Sequence, residues 1–368
     1  MTRTWQKLLQ QSCRQAEDLA AKTGWDPGQV EQMNELLTHY PMLVNPYYLS
    51  LIDFSDPADP IRRMSIPNFI ELDKDGQTDT SGELQNTVMP GLQHKYRDTA
   101  LVLSTDRCAM YCRHCFRKRL VGVDTKEKVA DIPAITDYIR DHEEIHNVLI
   151  SGGDAFLNSN QTLEQYLERL TPIQHLDFIR FGTRTPVVLP QRITTDPELC
   201  AMLSSYSQRK QLYVVTQFNH PREITPEAVA AIRHLWESDV TVLNQTVLLK
   251  GVNDDPEIIS TLLRKLTACG VVPYYIFQCR PVLGVKNEFQ VPLVRSCDII
   301  RQARQDQHGL ATSFRFIMSH PTGKIEIIGR SGNVLYLRYH HTKRPEDQSR
   351  IFTVEVDANQ CWLEEIPS

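Results

Sequence analysis

Three of the nine cysteines, Cys108, Cys112 and Cys115, fall within one short segment, Asp106-Arg-Cys-Ala-Met-Tyr-Cys-Arg-His-Cys-Phe-Arg-Lys-Arg119. The other six (Cys13, Cys200, Cys269, Cys279, Cys297, Cys361) lie apart from one another. In a reducing compartment, clustered thiols point to metal or redox chemistry more than to disulfides. The Cys-x3-Cys-x2-Cys spacing supplies three thiolates, one short of the set that usually closes a zinc or iron–sulfur site. A [4Fe–4S] cluster held by three cysteines keeps one iron open. The chemical reading is an iron that chelates the amino and carboxylate groups of S-adenosylmethionine and reduces its sulfonium, yielding methionine and a 5′-deoxyadenosyl radical. A structural zinc with His114 as fourth ligand is the bland alternative. Coincidental core cysteines are a poorer one, because packing does not demand this spacing.

Other residues could do chemistry beside the cysteines. Ser151-Gly152-Gly153-Asp154 follows an apolar run; paired glycines let a ligand approach the backbone, and the carboxylate can accept from an ammonium. Arg184, Gln217, Asn219, His220, Asn244 and Gln245 end later apolar runs and could line the same mouth, with loop capping as the competing reading. Lys324 lies in the tight turn His320-Pro-Thr-Gly-Lys324. A lysine that forms a Schiff base must be held at a cavity and partly desolvated, which lowers its pKa; an exposed turn lysine is the alternative.

These residues need a scaffold, and the pattern supplies one. Runs at 100–104, 148–151, 178–181, 212–216, 240–247, 272–277 and 314–318 are apolar and β-branched, with stretches at 162–170, 226–236 and 256–267 apolar at helical spacing between them. Such alternation predicts a parallel sheet covered by helices, and six or seven units predict a complete or partial (β/α) barrel with its active site at the strands' C-terminal ends. We expect an N-terminal helical extension over 1–90, with helices over 5–22 and 26–37. A barrel core over 91–324 follows, then a β-rich tail over 325–368 with strands at 324–328, 334–339 and 351–356. The chain has 368 residues, 41% hydrophobic and 23% charged, with a formal net charge of −5. That balance argues against a nucleic-acid coat or a polybasic membrane anchor. The polar start and the lack of a long apolar stretch predict no secretory leader, no membrane span and a cytoplasmic protein.

At these residues the chain resembles the radical S-adenosylmethionine superfamily, and more narrowly the lysine 2,3-aminomutase family. The resemblance covers most of 40–330. It includes Tyr47-Tyr48-Leu-Ser-Leu-Ile52, 94–105 leading into the cysteines, Ser151-Gly-Gly-Asp-Ala155, Gly182-Thr-Arg-Thr-Pro186 with Pro190-Gln-Arg-Ile-Thr194, Gln217-Phe-Asn-His-Pro221, Asn244-Gln-Thr-Val247, Gly251-Val-Asn-Asp254 and Pro273-Tyr-Tyr-Ile276. It implies a fold of the partial (β/α)6 type. The cofactors implied are a [4Fe–4S] cluster on Cys108, Cys112 and Cys115, S-adenosylmethionine gripped near Ser151 to Asp154, and pyridoxal 5′-phosphate on Lys324. Lys95 is implied as a phosphate anchor, with Thr99 where a second arginine is common; Lys118, Arg119 or Arg315 could compensate. His114 is placed near that phosphate and Arg117 on the substrate α-carboxylate. The implied reaction moves an α-amino group to the β-carbon, with an electron donor of flavodoxin or ferredoxin type and a homo-oligomer as partners.

The chain departs from lysine mutases where they present two aspartates to the distal ammonium. Here the positions read Arg280 and Ser319. A buried guanidinium cannot receive an ε-ammonium, so the expected substrate is not lysine, and an acidic amino acid such as glutamate is favoured. The C-terminal cysteine cluster that holds zinc in clostridial members is reduced to Cys361, so no zinc is expected. The tail beyond Lys324 is longer than in relatives that make β-lysine for elongation factor P.

Overall fold

The apolar runs fold as strands in the register that the alternation predicts. In the computed structural model, which describes residues 3–367 except 124, 125, 130 and 306, twelve strands form one sheet in sequence order. These are β1 (Thr87–Met89), β2 (Leu92–Tyr96), β3 (Thr99–Thr105), β4 (Asn147–Gly152), β5 (Phe178–Gly182), β6 (Gln211–Thr216), β7 (Val240–Leu248), β8 (Val272–Gln278), β9 (Arg315–His320), β10 (Gly323–Ser331), β11 (Val334–Thr342) and β12 (Ile351–Glu355). Strands β3 to β9 are parallel neighbours. Antiparallel strands extend them at both edges, β1 and β2 before and β10 to β12 after.

Six crossovers join the parallel strands, and each carries a helix: Ile132–Asp141, Asn160–Leu170, Pro197–Ser207, Pro226–Glu237, Pro256–Ala268 and Leu293–Ala303. This is the partial (β/α)6 arrangement expected, since the strand order ends at β1 and β12. The helices start where local chemistry dictates. The side chains of Asp196, Thr225 and Asp255 each accept from a backbone N–H of the first turn, and proline follows at once. One stripe faces the sheet, as with Ile259, Leu262, Leu263 and Leu266 of Pro256–Ala268. Each such fully buried aliphatic side chain contributes about 1.5–3 kcal/mol.

Two differences from the sequence expectation are informative. The single helix expected over 5–22 is two, Thr4–Gln10 and Glu17–Thr23. Between them Cys13 pairs with Val44, which pairs in turn with Met110 of the cysteine segment. A distant strand bridge thus overrides local helical periodicity. The hairpin β1–β2 was also not expected, because Leu92-Gln-His-Lys-Tyr96 is too polar to read as a strand. Among the described residues no helix is long and apolar enough to cross a membrane.

Candidate active site

Parallel strands deliver their C-terminal ends to one side of the sheet, and the chemistry-bearing residues gather there. The cysteine segment leaves β3 and is pinned by backbone bonds from Tyr111 N to Leu43 O at 3.0 Å and Arg113 N to Met64 O at 2.9 Å. Cys108 and Cys115 pack against Leu103, Leu120 and Val121. Cys112 turns inward, where Arg184 Nη1 donates to its sulfur at 2.8 Å. Arg184 is itself fixed: Nε donates to Gln217 O at 3.0 Å and Nη2 to Glu223 Oε1 at 2.6 Å. Glu223 also accepts from the Tyr48 hydroxyl at 2.7 Å and from the backbone N–H of Asn219 at 2.6 Å and His220 at 2.9 Å.

Burial pushes the Cys115 thiol up to about 11, with Cys112 adding to the effect. Burial likewise raises Cys108 well above its ordinary value, with Asp154 and the other two cysteines adding. Three thiols in one loop, two of them held protonated by burial, fit a polycationic iron centre, which would draw off their protons on binding. Among the described residues no three His, Cys, Asp or Glu side chains converge where a single ion could sit. A cube-shaped cluster does not ask for that, because each thiolate meets its own iron.

The Gly152–Gly153 pair serves the chain's own backbone. A Cβ on Gly152, whose φ is +111°, would lie 2.3 Å from Thr105 O, and one on Gly153 would lie 2.3 Å from Arg107 O. The close approach that glycine permits here is that of β4 to the cysteine loop, sealed by Gly153 N to Thr105 O at 2.6 Å and Asp154 N to Arg107 O at 2.8 Å. The carboxylate of Asp154 accepts from Thr183 Oγ1 at 2.5 Å, from Arg184 N at 2.7 Å and from Phe156 N at 3.0 Å. It ties the loops after β4 and β5 together, a positioning part. Asn244 is similarly occupied, accepting from Phe218 N at 2.7 Å and donating to Thr246 Oγ1 at 2.8 Å. Asn219 Oδ1 accepts from Val247 N at 2.9 Å, and its Nδ2 lies 3.2 Å from His114 Nε2. His114 is held neutral by burial, and its Nδ1 is buried without a partner. Gln217 is half-buried at the same mouth, and Ser151 lies 3.4 Å through its Oγ from Arg117 Nη1.

A second group forms around the β9–β10 hairpin, where Ser319 pairs with Lys324. Lys324 Nζ stands 5.1 Å from the centre of the Tyr96 ring and 5.6 Å from that of Tyr275. Burial, then the charges of Arg180 and Arg280, lowers its pKa to about 7. Lys95 donates to His320 O at 2.9 Å and Ser81 O at 3.3 Å, and burial with Arg280 beside it brings it to about 7 as well. Arg280 donates through Nη2 to Ser319 Oγ at 2.7 Å, while its Nη1 is buried without a partner. The Arg280 and Arg117 guanidinium carbons lie 4.4 Å and 4.7 Å from the centre of the same Phe116 ring. Arg117 is paired with Glu83, Nε to Oε1 at 2.8 Å. The chain therefore runs from the cysteine loop through Phe116 to Arg280, Ser319 and Lys324 by direct contact.

The cations outnumber the carboxylates in this second group. Glu83 faces Arg117, and Asp98, held at about 2 first by its bond from His341, faces Lys324. Orphaned donors on Arg280 and Arg180, with a desolvated lysine between aromatic rings, fit an anionic carbonyl cofactor and carboxylate ligands. Of the cations expected to compensate for Thr99, Lys118 is engaged by Glu71 and by Arg113 O and Gly284 O, Arg119 by Glu83 and Glu127, and Arg315 lies 3.9 Å from Glu326. Arg180 on β5 is the cation that faces Lys324, and it was not singled out from the sequence. Its signal was available, a charge inside the apolar run Phe178-Ile-Arg-Phe181. Glu223 and Glu83 were also missed; the first closes a turn begun by His220, whereas nothing local marks the second.

The sequence is also similar to known proteins. A family profile described as the Radical SAM superfamily matches residues 102–262, from β3 into the helix after β7. An L-lysine 2,3-aminomutase of Clostridium subterminale is 43% identical over 285 residues, 77% of this chain and 67% of that protein. One from Acetoanaerobium sticklandii is 36% identical over 372 residues, 97% of this chain and 87% of its own length. A glutamate 2,3-aminomutase of Clostridioides difficile is 40% identical over 295 residues, 80% of this chain and 68% of its own.

Proposed function

This chain belongs to the lysine 2,3-aminomutase family of the radical S-adenosylmethionine superfamily, and from that premise we propose that its substrate is an amino acid with a second carboxylate, glutamate foremost. It is an isomerase of the family that shifts an amino group within its substrate. Identity alone does not choose the substrate, because the lysine and glutamate relatives are similarly close. The observation that carries the choice is Arg280 Nη1, buried with no partner beside Ser319. A carboxylate there would satisfy the orphaned donor and add charge-assisted bonds. An ε-ammonium there would face a guanidinium at a cost of about 4 kcal/mol at 4 Å and an effective dielectric near 20.

Enzymes of this family use a [4Fe–4S] cluster, S-adenosylmethionine and pyridoxal 5′-phosphate, which together supply a carbon-centred radical and a temporary anchor for the migrating nitrogen. The residues of this chain do the holding. Cys108, Cys112 and Cys115 ligate the cluster, and Arg184 steadies Cys112 through its 2.8 Å contact. Lys324, whose pKa burial lowers to about 7, can present a neutral amine near physiological pH, as carbonyl capture requires. Arg180 would supply positive charge for a phosphate, whose own charge would draw a proton onto Lys95; Arg117 orients the α-carboxylate beside its Glu83 partner, and Arg280 with Ser319 fixes the distal one. Rigid placement of these groups is the protein's main contribution to rate, since a radical needs its target in contact and water excluded. The reducing conditions that thiols and cluster need suit a cytoplasmic enzyme.

The test is anaerobic reconstitution with both cofactors, reduction, and separate incubation with glutamate and lysine, read as β-amino acid products by mass spectrometry. Formation of β-glutamate supports the reading. Faster formation of β-lysine overturns it.

A further inference from the structure

Reductive cleavage of a sulfonium requires one electron from outside the cluster, so the protein must offer a surface where a donor comes close. Cys112 and Cys115 open onto a crevice of about 20 Å³ beside Tyr40 and Lys118, too small for either to seat a donor. Cys108 lines a groove of about 910 Å³ on the outside of the barrel, between the N-terminal helix Thr4–Gln10, the cysteine loop and the start of the helix Asn160–Leu170. The groove walls include Trp5 and Tyr111, and its charged lining residues are Arg3, Arg14, Arg107 and Glu198. Arg3 pairs with Asp196 and Glu198. Arg14 and Arg107 are exposed, and neither guanidinium is seen in an ion pair among the described residues, although the Asp18 carboxylate accepts from the Arg14 backbone N–H at 2.7 Å. A basic spot is notable in a chain of net charge −5.

We propose that this groove docks a small acidic one-electron carrier protein, which reduces the cluster past Cys108. The proposal rests on Cys108 being a cluster ligand, as argued above. In the step, the carrier is oxidised by one electron and the cluster is reduced from [4Fe–4S]2+ to [4Fe–4S]1+. That electron then enters the carbon–sulfur bond of the sulfonium cofactor, which breaks to methionine and the 5′-deoxyadenosyl radical. Arg14 and Arg107 steer the carrier by long-range attraction and set its orientation, so their effect falls with salt and lies mainly in the association rate. The half-buried Tyr111 ring, which packs in the same apolar cluster as Cys108, supplies apolar contact at the groove wall. A donor seated here would lie against Cys108, the cysteine of the trio that lines this groove.

The test compares two reductants on the reconstituted holoenzyme. One is a flavodoxin in its anionic hydroquinone form, which gives up one electron to become the neutral semiquinone. The other is titanium(III) citrate, a small chemical reductant. The variants are Arg14→Glu and Arg14→Gln, because Arg14 lies outside the cysteine loop. With flavodoxin at low salt, 5′-deoxyadenosine formation should fall about threefold or more in Arg14→Glu, and the gap should narrow as salt rises. With titanium(III) citrate it should stay within about twofold of wild type. Equal loss with both reductants, no loss with either, or sedimentation showing that a second copy of the chain covers the groove would each overturn the proposal. A wild-type protein that releases nothing even with titanium(III) citrate would instead sink the cluster assignment itself, and this inference with it.

Discussion

Replacing Arg280 is the sharpest perturbation the site offers. The guanidinium donates to Ser319 Oγ at 2.7 Å, leans 4.4 Å from the centre of the Phe116 ring and keeps Nη1 orphaned. Burial lowers its pKa to about 10, so it remains a cation throughout the physiological range. A substrate carboxylate about 4 Å away gains about 4 kcal/mol at an effective dielectric near 20, part of which is returned in desolvation. Truncating one partner of such a buried pair costs roughly 2–5 kcal/mol. At about 1.4 kcal/mol per factor of ten, kcat/KM for glutamate in Arg280→Gln should fall about 30-fold to a few thousandfold. Arg280→Lys keeps the charge and loses the planar fork and the ring contact, so it should fall between wild type and Arg280→Gln. The double change Arg280→Asp with Ser319→Asp should start to produce β-lysine. The assay is anaerobic steady-state kinetics with mass-spectrometric detection, on variants whose melting temperature confirms folding. Arg280→Gln within threefold of wild type on glutamate, or Arg280→Lys as damaged as Arg280→Gln, would refute the reasoning.

Other parts of the account make their own forecasts. Glu223→Gln weakens a buried carboxylate that accepts from Arg184, Tyr48 and two backbone N–H groups, so stability should drop by about 3 kcal/mol and iron retention should fall with it; unchanged melting and iron content would contradict that role. Gly153→Ala puts a methyl 2.3 Å from Arg107 O and should displace the cysteine loop, giving a protein with much less iron per chain after reconstitution than wild type. Lys324 and Lys95 titrate near 7 when folded against about 10.4 when unfolded. Between those values the unfolded chain binds more protons, so stability rises with pH across that window. Melting of cofactor-free protein should move upward from pH 7 to pH 9, and Lys324→Met should flatten part of the rise; an identical slope in the variant would count against the desolvated lysine.

The sheet was legible because its signal is local. All seven parallel strands appear where apolar, β-branched runs stand, even though polar residues such as Asn244, Gln245 and Thr246 interrupt β7. The cysteine spacing was legible for the same reason. What escaped the sequence depends on contacts between distant segments. The break at Cys13 follows from its pairing with Val44, and the two glycines after β4 let the backbone at Thr105 and Arg107 come close, an approach that nothing local in the sequence marks. The sequence placed Arg280 and Ser319 at matching positions by resemblance. Only the fold shows that they touch each other, and that Phe116 links them to the cysteine loop. Asp154 and Asn244 read as ligand contacts in sequence; in the fold their polar atoms hold loops together.

The account's central claim is that Cys108, Cys112 and Cys115 hold a cluster with one iron free to act on a sulfonium. Its most direct measurement is the 5′-deoxyadenosine released per chain by reconstituted, reduced protein given S-adenosylmethionine, beside Cys108→Ala, Cys112→Ala and Cys115→Ala. The account predicts release by the wild type and none above background in any of the three variants, which should also fail to retain a full cluster. A wild type that is loaded with iron and sulfide yet releases no 5′-deoxyadenosine, or a variant that releases as much as wild type, would contradict it.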